Sequence, residues 1–156
     1  MSPAPDPASE LPLPAPMTLL SIDPGRAKCG LAVVTSPDAG GKTVCRERAV
    51  VPTERLTLAV GEILQRRPEI TRLLIGNATH SATLRRALAG TFPEMPLDVV
   101  EEHGTSERAR RRFLAENPAP GWRRLLPTGM RSPEVSVDDY AALIIAEDFF
   151  KLFFEK

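Results

Sequence analysis

Apolar and polar residues alternate in a clear pattern along the chain, and the pattern begins with three strand-like runs in succession. The first, residues 18–23, is an apolar run that ends on Asp23. Pro24-Gly25 stops it, because proline cannot donate a hydrogen bond to a sheet and glycine permits a tight turn. Residues 29–35 and 43–51 form two further runs of strand character, joined by short loops. Three strands with short connections predict an antiparallel meander.

Helical periodicity then alternates with short apolar runs. The last helix, from Ser136 to about Phe154, is apolar over a wide arc and is expected to lie flat on the sheet. Ser136 and Asp139 at its start resemble a capping box. The elements predicted before it are a helix from Thr53 or Glu54 to about Arg67, a buried parallel strand over 72–76, a helix over 81–91, a fifth strand over 97–102, a helix from an N-cap at Thr105 or Ser106 to about Glu116, and a loop over 117–133.

The order βββ-α-β-α-β-α-α predicts an α/β fold with a five-stranded mixed sheet. Three antiparallel strands are followed by parallel strands, and helices cover both faces. The length of 156 residues suits a single domain, which we place at residues 17–156. Residues 1–16 hold six prolines and no apolar periodicity, so we expect a disordered leader there.

Several classes of protein fit this sequence poorly. Residues 1–16 lack the basic start and continuous apolar segment of a signal peptide. No apolar run approaches the roughly 20 residues of a membrane helix. Cys29 and Cys45 form neither a CxxC motif nor a disulfide framework, so we expect reduced thiols in a cytoplasmic protein.

Positive charge is concentrated in one block, although the chain has no net charge. Residues 105–131 contain seven arginines against two acids, Glu107 and Glu116. A basic block in a neutral chain indicates a face made for an anion, and arginine favours phosphate recognition. A solvated helix face is the alternative. The arginines expected to contact a nucleic-acid backbone are Arg108, Arg111, Arg112, Arg123 and Arg124.

Carboxylates stand at the ends of three predicted elements. Asp23 ends the first strand, Glu101 and Glu102 end the fifth, and Asp138 and Asp139 begin the last helix. In open α/β sheets, ligands gather beyond the carboxyl ends of the strands, and a helix N-terminus favours an ionised carboxylate. Asp23 by itself could simply cap the Pro-Gly turn. Three carboxylates brought together would repel one another, and a divalent cation is the simplest remedy.

All-oxygen ligands of this kind suit Mg²⁺ or Mn²⁺. Two such ions about 3.5–4 Å apart would activate a water and stabilise the leaving oxygen of a phosphodiester. The arginine block would then hold the phosphate backbone. The residues therefore indicate a metal-dependent nuclease with a two-metal site.

Three segments resemble a known family. Leu20-Ser21-Ile22-Asp23-Pro24-Gly25, followed by Gly30, resembles the first strand of RuvC-type Holliday junction resolvases. Residues 100–106 with Ala109 resemble the Asp-Glu-Arg-x-Thr-Thr…Ala segment of the YqgF family of RNase H-like nucleases, and residues 137–145 resemble its Asp-x-x-Ala-Ala-x-x-Ile-Leu helix. Together these segments span about residues 18–153.

The resemblance implies an RNase H-like fold, divalent-metal phosphodiester cleavage, and a role in ribosomal RNA precursor processing or in resolving branched DNA. Carried over by position, Asp23, Glu102 and Asp138 are the catalytic residues and the metal ligands. His103, next to Glu102, could protonate a leaving group or touch a phosphate, although a loop histidine without a role is the alternative.

The chain departs from the family pattern at four places. Glu101 replaces an aspartate, His103 replaces an arginine, Gly76-Asn77-Ala78 stands where Gly-Leu-Pro is usual, and Ala141 occupies the position of a further aspartate in RuvC. The first three departures bear on substrate preference more than on metal binding. They also keep open a second function, a catalytically inactive nucleic-acid-binding domain of the same fold.

Other residues have weaker functional signals. His80 follows the fourth strand near the same edge, and Trp122 could stack on a base, although packing against the core is the simpler role. Phe149, Phe150, Phe153 and Phe154 are expected in the core or at a dimer contact. A sugar-kinase-like ATP binder is disfavoured because no glycine-rich phosphate loop is present. The sequence leaves RNA and DNA open as substrates, and a symmetric junction would favour a homodimer.

Overall fold

The structure, a computed structural model, describes residues 16–37, 42–79, 81–101, 104–117 and 137–154. Its strands are β1 Thr18–Asp23, β2 Lys28–Thr35, β3 Val44–Pro52, β4 Ile70–Gly76 and β5 Leu97–Val100. Its helices are α1 Leu56–Arg66, α2 Ser81–Thr91, α3 Thr105–Glu116 and α4 Asp138–Phe154, and a 3-10 turn over Thr53–Arg55 leads into α1. The predicted order of strands and helices is confirmed.

The five strands form one mixed sheet in the order β3-β2-β1-β4-β5. β1 pairs with β2 and β2 with β3 in antiparallel fashion, whereas β1 pairs with β4 and β4 with β5 in parallel. The central strand β1 therefore lies between the meander and the parallel half. This arrangement confirms the predicted sheet and brings the carboxyl ends of β1, β4 and β5 to one edge.

Helices cover both faces of the sheet, as predicted. On one face α1 and α2 enclose a core that contains Leu20 and Ile22 of β1. On the other face α4 lies across Leu19, Ala32 and Leu74. Within α4, every residue from position 140 to 146 is buried. α3 packs on the outer side of α4 rather than on the sheet. The wide apolar arc of α4 follows from this double contact.

The turn between β1 and β2 is fixed by the segment that follows β3. Thr53 donates its hydroxyl to the Gly25 carbonyl oxygen over 2.8 Å, and its backbone N–H donates to Ala27 O over 3.0 Å. A Cβ atom at Gly25 would lie 2.2 Å from Lys28 O, so the turn closes too tightly for a side chain there. The loop after Asp23 is thereby held in one place.

The predicted N-cap of α3 is wrong. Gly104 is the N-cap residue, and its φ of 62° lies in the left-handed region that glycine adopts at little cost. Among the described residues no side chain caps this end, and Thr105 is buried at 3% exposure. No helix in the described part of the chain is long and apolar enough to cross a membrane.

Candidate active site

Asp23 ends β1 on the face that α4 covers. Side chains alternate along a strand, so Asp23 shares a face with Ser21 and Leu19, and Leu19 packs against α4. Leu19 and Ser21 are fully buried, whereas Asp23 is partly exposed. The carboxylate therefore stands at the rim of the interface between the sheet and α4, where solvent reaches it.

Gly30 of β2 is the direct strand partner of Asp23, and it faces the same helix. A Cβ atom built on Gly30 would lie 1.8 Å from the Asp138 carbonyl oxygen and 2.7 Å from Asp139 N. No side chain fits at that distance, so the first turn of α4 rests directly on the β2 backbone. Sequence reasoning gave Gly30 no role, although a glycine inside a strand often marks a close backbone approach.

Asp138 and Asp139 occupy the first turn of α4. Asp139 Oδ1 accepts a hydrogen bond from Tyr140 N over 3.0 Å, and its Oδ2 lies 4.0 Å from Arg48 Nε. Arg48 in turn lies 4.0 Å from the centroid of the Tyr140 ring. The Asp139 carboxylate thus has partners in Tyr140 and Arg48, and the Asp138 backbone lies against Gly30.

The end of β5 distinguishes the two candidate glutamates only in part. Val100 packs with the α4 core, and Leu97 packs with the opposite core, as alternation requires. Glu101 is exposed, and its Oε1 accepts a hydrogen bond from Asn77 Nδ2 over 3.3 Å. Glu102 and His103 lie outside the described residues, so their assignment to the site stays a prediction.

The donors at this corner fit a hard cation in their chemistry. Asp23 and Asp138 each carry a carboxylate, and the fully buried hydroxyl of Ser21 has no hydrogen-bond partner among the described residues. Oxygen donors of this kind are those that Mg²⁺ and Mn²⁺ prefer. Within the described ranges no three His, Cys, Asp or Glu side chains gather into a metal site.

Two arginines of α3 contact carboxylates of α4. Arg108 forms two hydrogen bonds to Asp148, of 2.7 and 2.9 Å, and this pairing raises the pKa of Arg108. Arg112 bonds both Glu147 oxygens at 2.8 Å. Two of the predicted phosphate-binding arginines therefore also join α3 to α4.

The remaining predicted arginines differ in their surroundings. Arg111 pairs with Glu107 over 2.8 Å at the surface, where its side chain is 68% exposed. Arg123 and Arg124 lie outside the described residues, as do His80 and Trp122. Nucleic-acid binding by the whole set stays a prediction. Phe150 is buried in the α4 core and Phe149 packs against it, as expected of core residues.

A network around Tyr140 was not foreseen from the sequence. The Tyr140 hydroxyl donates to Glu116 Oε2 over 2.9 Å, and this bond is the main reason why the pKa of Glu116 lies below its ordinary value. Phe113 meets the Tyr140 ring edge-on, with ring centroids 5.7 Å apart. These contacts link α3 to the first turn of α4, which carries Asp138. Residues so far apart in the chain gave no local signal.

No protein family model matches the chain. In sequence it is 26% identical over 142 residues to a protein of Bacteroides thetaiotaomicron described as "Putative pre-16S rRNA nuclease", and the match covers 84% of this chain and 94% of that protein. In fold it is similar to RuvC of Thermus thermophilus, with a TM-score of 0.53, 20% identity, and 87% and 95% of the two chains covered.

The fold is also similar to that of the fowlpox virus resolvase in complex with Holliday junction DNA. That match has a TM-score of 0.57 at 10% identity and covers 88% of this chain and 99% of the resolvase. These findings confirm the predicted resemblance to YqgF- and RuvC-type proteins. The similarity to solved resolvases also confirms the RNase H-like fold.

Proposed function

We propose that this chain is a divalent-metal-dependent nuclease that hydrolyses phosphodiester bonds in structured nucleic acid. The observation that carries the proposal is the contact between Gly30 and the Asp138 peptide, which brings Asp138 to the corner where Asp23 ends β1. The similarity to a described pre-16S rRNA nuclease and to Holliday junction resolvases supports the same class of reaction.

We assign the metal ligands as Asp23, Glu102 and Asp138. When bound, Mg²⁺ or Mn²⁺ ions would activate a water and stabilise the leaving oxygen of the phosphodiester. The chain holds Asp23 at the end of the central strand of the sheet and Asp138 in the first turn of α4. The backbone contact between Gly30 and the first turn of α4 supports a position for Asp138 that is set before the substrate arrives.

Alternation along β5 supports Glu102 rather than Glu101 as the third ligand. Val100 faces α4, so a regular strand would turn the residue two positions later toward the same face. Glu101, the first residue after β5, would turn to the opposite face if the strand continued regularly, and its carboxylate accepts a hydrogen bond from Asn77. His103 stays a candidate for protonating the leaving group.

The substrate is either a ribosomal RNA precursor or a branched DNA, as the named relatives suggest. A homodimer belongs to the second case, because two-fold related cuts in a symmetric junction call for two active sites. The two cases differ in the nucleic acid offered, so one panel of substrates separates them.

The test is a cleavage assay with labelled hairpin RNA, single-stranded DNA and a four-way DNA junction, each with Mg²⁺, with Mn²⁺ and with a chelator. We expect metal-dependent cleavage of at least one substrate. Asp23→Asn should lower the rate about a hundredfold or more, the scale of losing a group that acts in the transition state. Melting temperature should fall little or rise, because the change removes like-charge repulsion.

Glu94→Gln is the matched control, since it neutralises an exposed carboxylate in the turn before β5, far from the proposed corner. Its cleavage rate should equal that of the wild type. Binding without cleavage in every metal would instead support the inactive nucleic-acid-binding domain. A large drop in the melting temperature of Asp23→Asn would mean that Asp23 serves to cap the turn.

A further inference from the structure

A groove of about 420 Å³ lies between α2 and the edge strand β5, on the face of the sheet opposite α4. It is lined by Ala82, Arg85, Arg86 and Ala89 of α2 and by Leu97 and Val99 of β5. The α2 residues recur at three and four positions, so they share one side of the helix. The core side of α2 is a different one, where Leu84 and Leu88 pack.

The arginines of this groove have no carboxylate partner among the described residues. Among the described residues, the buried Nε of Arg85 has no hydrogen-bond partner, and neither has the buried hydroxyl of Ser81, which lies one turn earlier and does not line the groove. Buried polar atoms are nearly always bonded, so the unpartnered Nε of Arg85 calls for an explanation. A group bound in the groove that accepts hydrogen bonds from the Arg85 guanidinium would supply one.

A second pair of consecutive arginines on the same face, unlike Arg85 and Arg86, has carboxylate partners. Arg66 and Arg67 at the end of α1 both bond to Glu47, at 2.8–3.0 Å. Arg67 also pairs with Glu69 over 3.5 Å, so two carboxylates face this pair of arginines. Arg85 and Arg86 instead lie beside an open groove with an apolar floor.

We infer that this groove binds the phosphodiester backbone of a nucleic-acid strand, at a place separate from the catalytic corner. The inference rests on the proposed function, which supplies a polyanionic ligand. Guanidinium groups bind phosphate in a forked geometry, and the small apolar side chains of Ala82 and Val99 leave room for the sugar.

The position of the groove suits a long or branched substrate. α2 begins shortly after the carboxyl end of β4, so Ser81 and Arg85 lie toward the same edge of the sheet as Asp23. The groove is separated from Asp23 by the sheet itself, because it opens on the other face. A strand held there is a second arm or an extension of the substrate rather than the scissile segment.

The test measures binding without cleavage, in the Asp23→Asn background, by fluorescence anisotropy with a labelled four-way DNA junction and a labelled hairpin RNA over a salt series. R85A/R86A should weaken the Kd about tenfold. Because each lost phosphate contact lowers the salt slope by about 0.7 for a single strand or 0.9 for a duplex, the slope should fall by about 1.4–1.8.

R66A/R67A is the matched control, since it removes the same two charges from the same face. We expect its Kd to stay within about twofold of the parent and its salt slope to be unchanged, because Glu47 and Glu69 already pair with those arginines. R85K/R86K keeps both positive charges but lacks the forked guanidinium geometry, so it should recover part of the affinity. Such a recovery would show that the loss in the alanine variant is not a folding defect.

The inference is overturned if both alanine pairs weaken binding equally, which would indicate long-range charge alone, or if neither does. It is also overturned if R85A/R86A leaves nucleic-acid binding intact but abolishes capture of a poly-glutamate peptide. A parent protein that binds none of the nucleic acids would instead refute the proposed function.

Discussion

Gly30 on β2 and Asp138 at the start of α4 are in backbone contact, at a separation that leaves no space for a Cβ atom. Gly30 is also the strand partner of Asp23. One residue without a side chain thus lets a helix dock directly on the sheet beside the end of the central strand. The proposed catalytic corner depends on that approach.

Gly30→Ala is therefore expected to push the first turn of α4 away from β2. Forcing extra atoms into a packed contact costs about 1–3 kcal/mol, and here the neighbour is backbone that cannot rotate away. Cleavage should be lost even at temperatures where the variant is folded. Urea unfolding and a cleavage assay on the same samples measure the two effects.

The control is Gly90→Ala in α2, where a Cβ atom would meet nothing within 4 Å. Alanine is the better helix former, so this variant should gain up to about 1 kcal/mol and keep full activity. Wild-type activity in Gly30→Ala would show that the docking of α4 on β2 does not position the catalytic residues.

Glu102→Gln and Glu101→Gln should differ sharply. The first removes a proposed metal ligand and should lower the rate of metal-dependent cleavage about a hundredfold or more. The second keeps an oxygen that can accept the Asn77 hydrogen bond and should leave most activity. Cleavage rates of the two variants at saturating metal test this prediction. A larger loss in Glu101→Gln than in Glu102→Gln would mean that β5 ends in another register or in a bulge.

The arginines of α3 are expected to divide between stability and binding. Arg108→Ala should lower the free energy of unfolding by about 0.2–1 kcal/mol, since its partner Asp148 lies on α4 and the pair is partly exposed. Arg111→Ala should leave stability unchanged and weaken nucleic-acid binding, because its surface pair with Glu107 contributes little. Chemical unfolding and anisotropy measure the two quantities.

Asp148→Asn is the control for the first effect. It breaks the same pair and should reproduce the loss of stability without weakening nucleic-acid binding. Replacing Arg108, Arg111 and Arg112 together should flatten the salt dependence of binding, because phosphate contacts release counterions. An unchanged salt slope would show that these arginines serve only the fold and the solvated surface.

Stability should fall in acid because of Glu47. Hydrogen bonds from Arg66 first, and then from Arg67, hold its pKa below the ordinary value of 4.5. A carboxyl with a lowered pKa in the folded state stabilises the fold above that ordinary value, and the contribution is lost as pH falls through the folded pKa. Glu47→Gln should therefore flatten part of the decline in unfolding free energy below about pH 4.5.

Urea unfolding between pH 3 and pH 6 tests this, with Glu94→Gln beside it. Glu94 has no ion pair or hydrogen bond to its carboxylate within the described part of the chain, so that variant should follow the wild-type curve. If the unfolding free energy depends on pH equally in all three proteins, the loss of stability in acid comes from other carboxylates, of which Glu116 is the next candidate.

The sequence by itself determined the elements and their order. Pro24-Gly25 ended β1 at Asp23, and the spacing of Val60 and Ile63 marked the buried side of α1. These signals are local, because side-chain direction repeats every two residues in a strand and every 3.6 in a helix. The family resemblance likewise depended on short segments that can be read without their neighbours in space.

The tertiary structure alone decided what those elements bring together. Arg108 and Asp148 are 40 positions apart, and Gly30 meets a helix that begins more than a hundred residues later. Gly104, not Thr105 or Ser106, caps α3, because packing buries Thr105 in the first turn. Contacts of this kind arise when separately formed elements pack against one another, and no periodicity in the chain records which side chains will then meet.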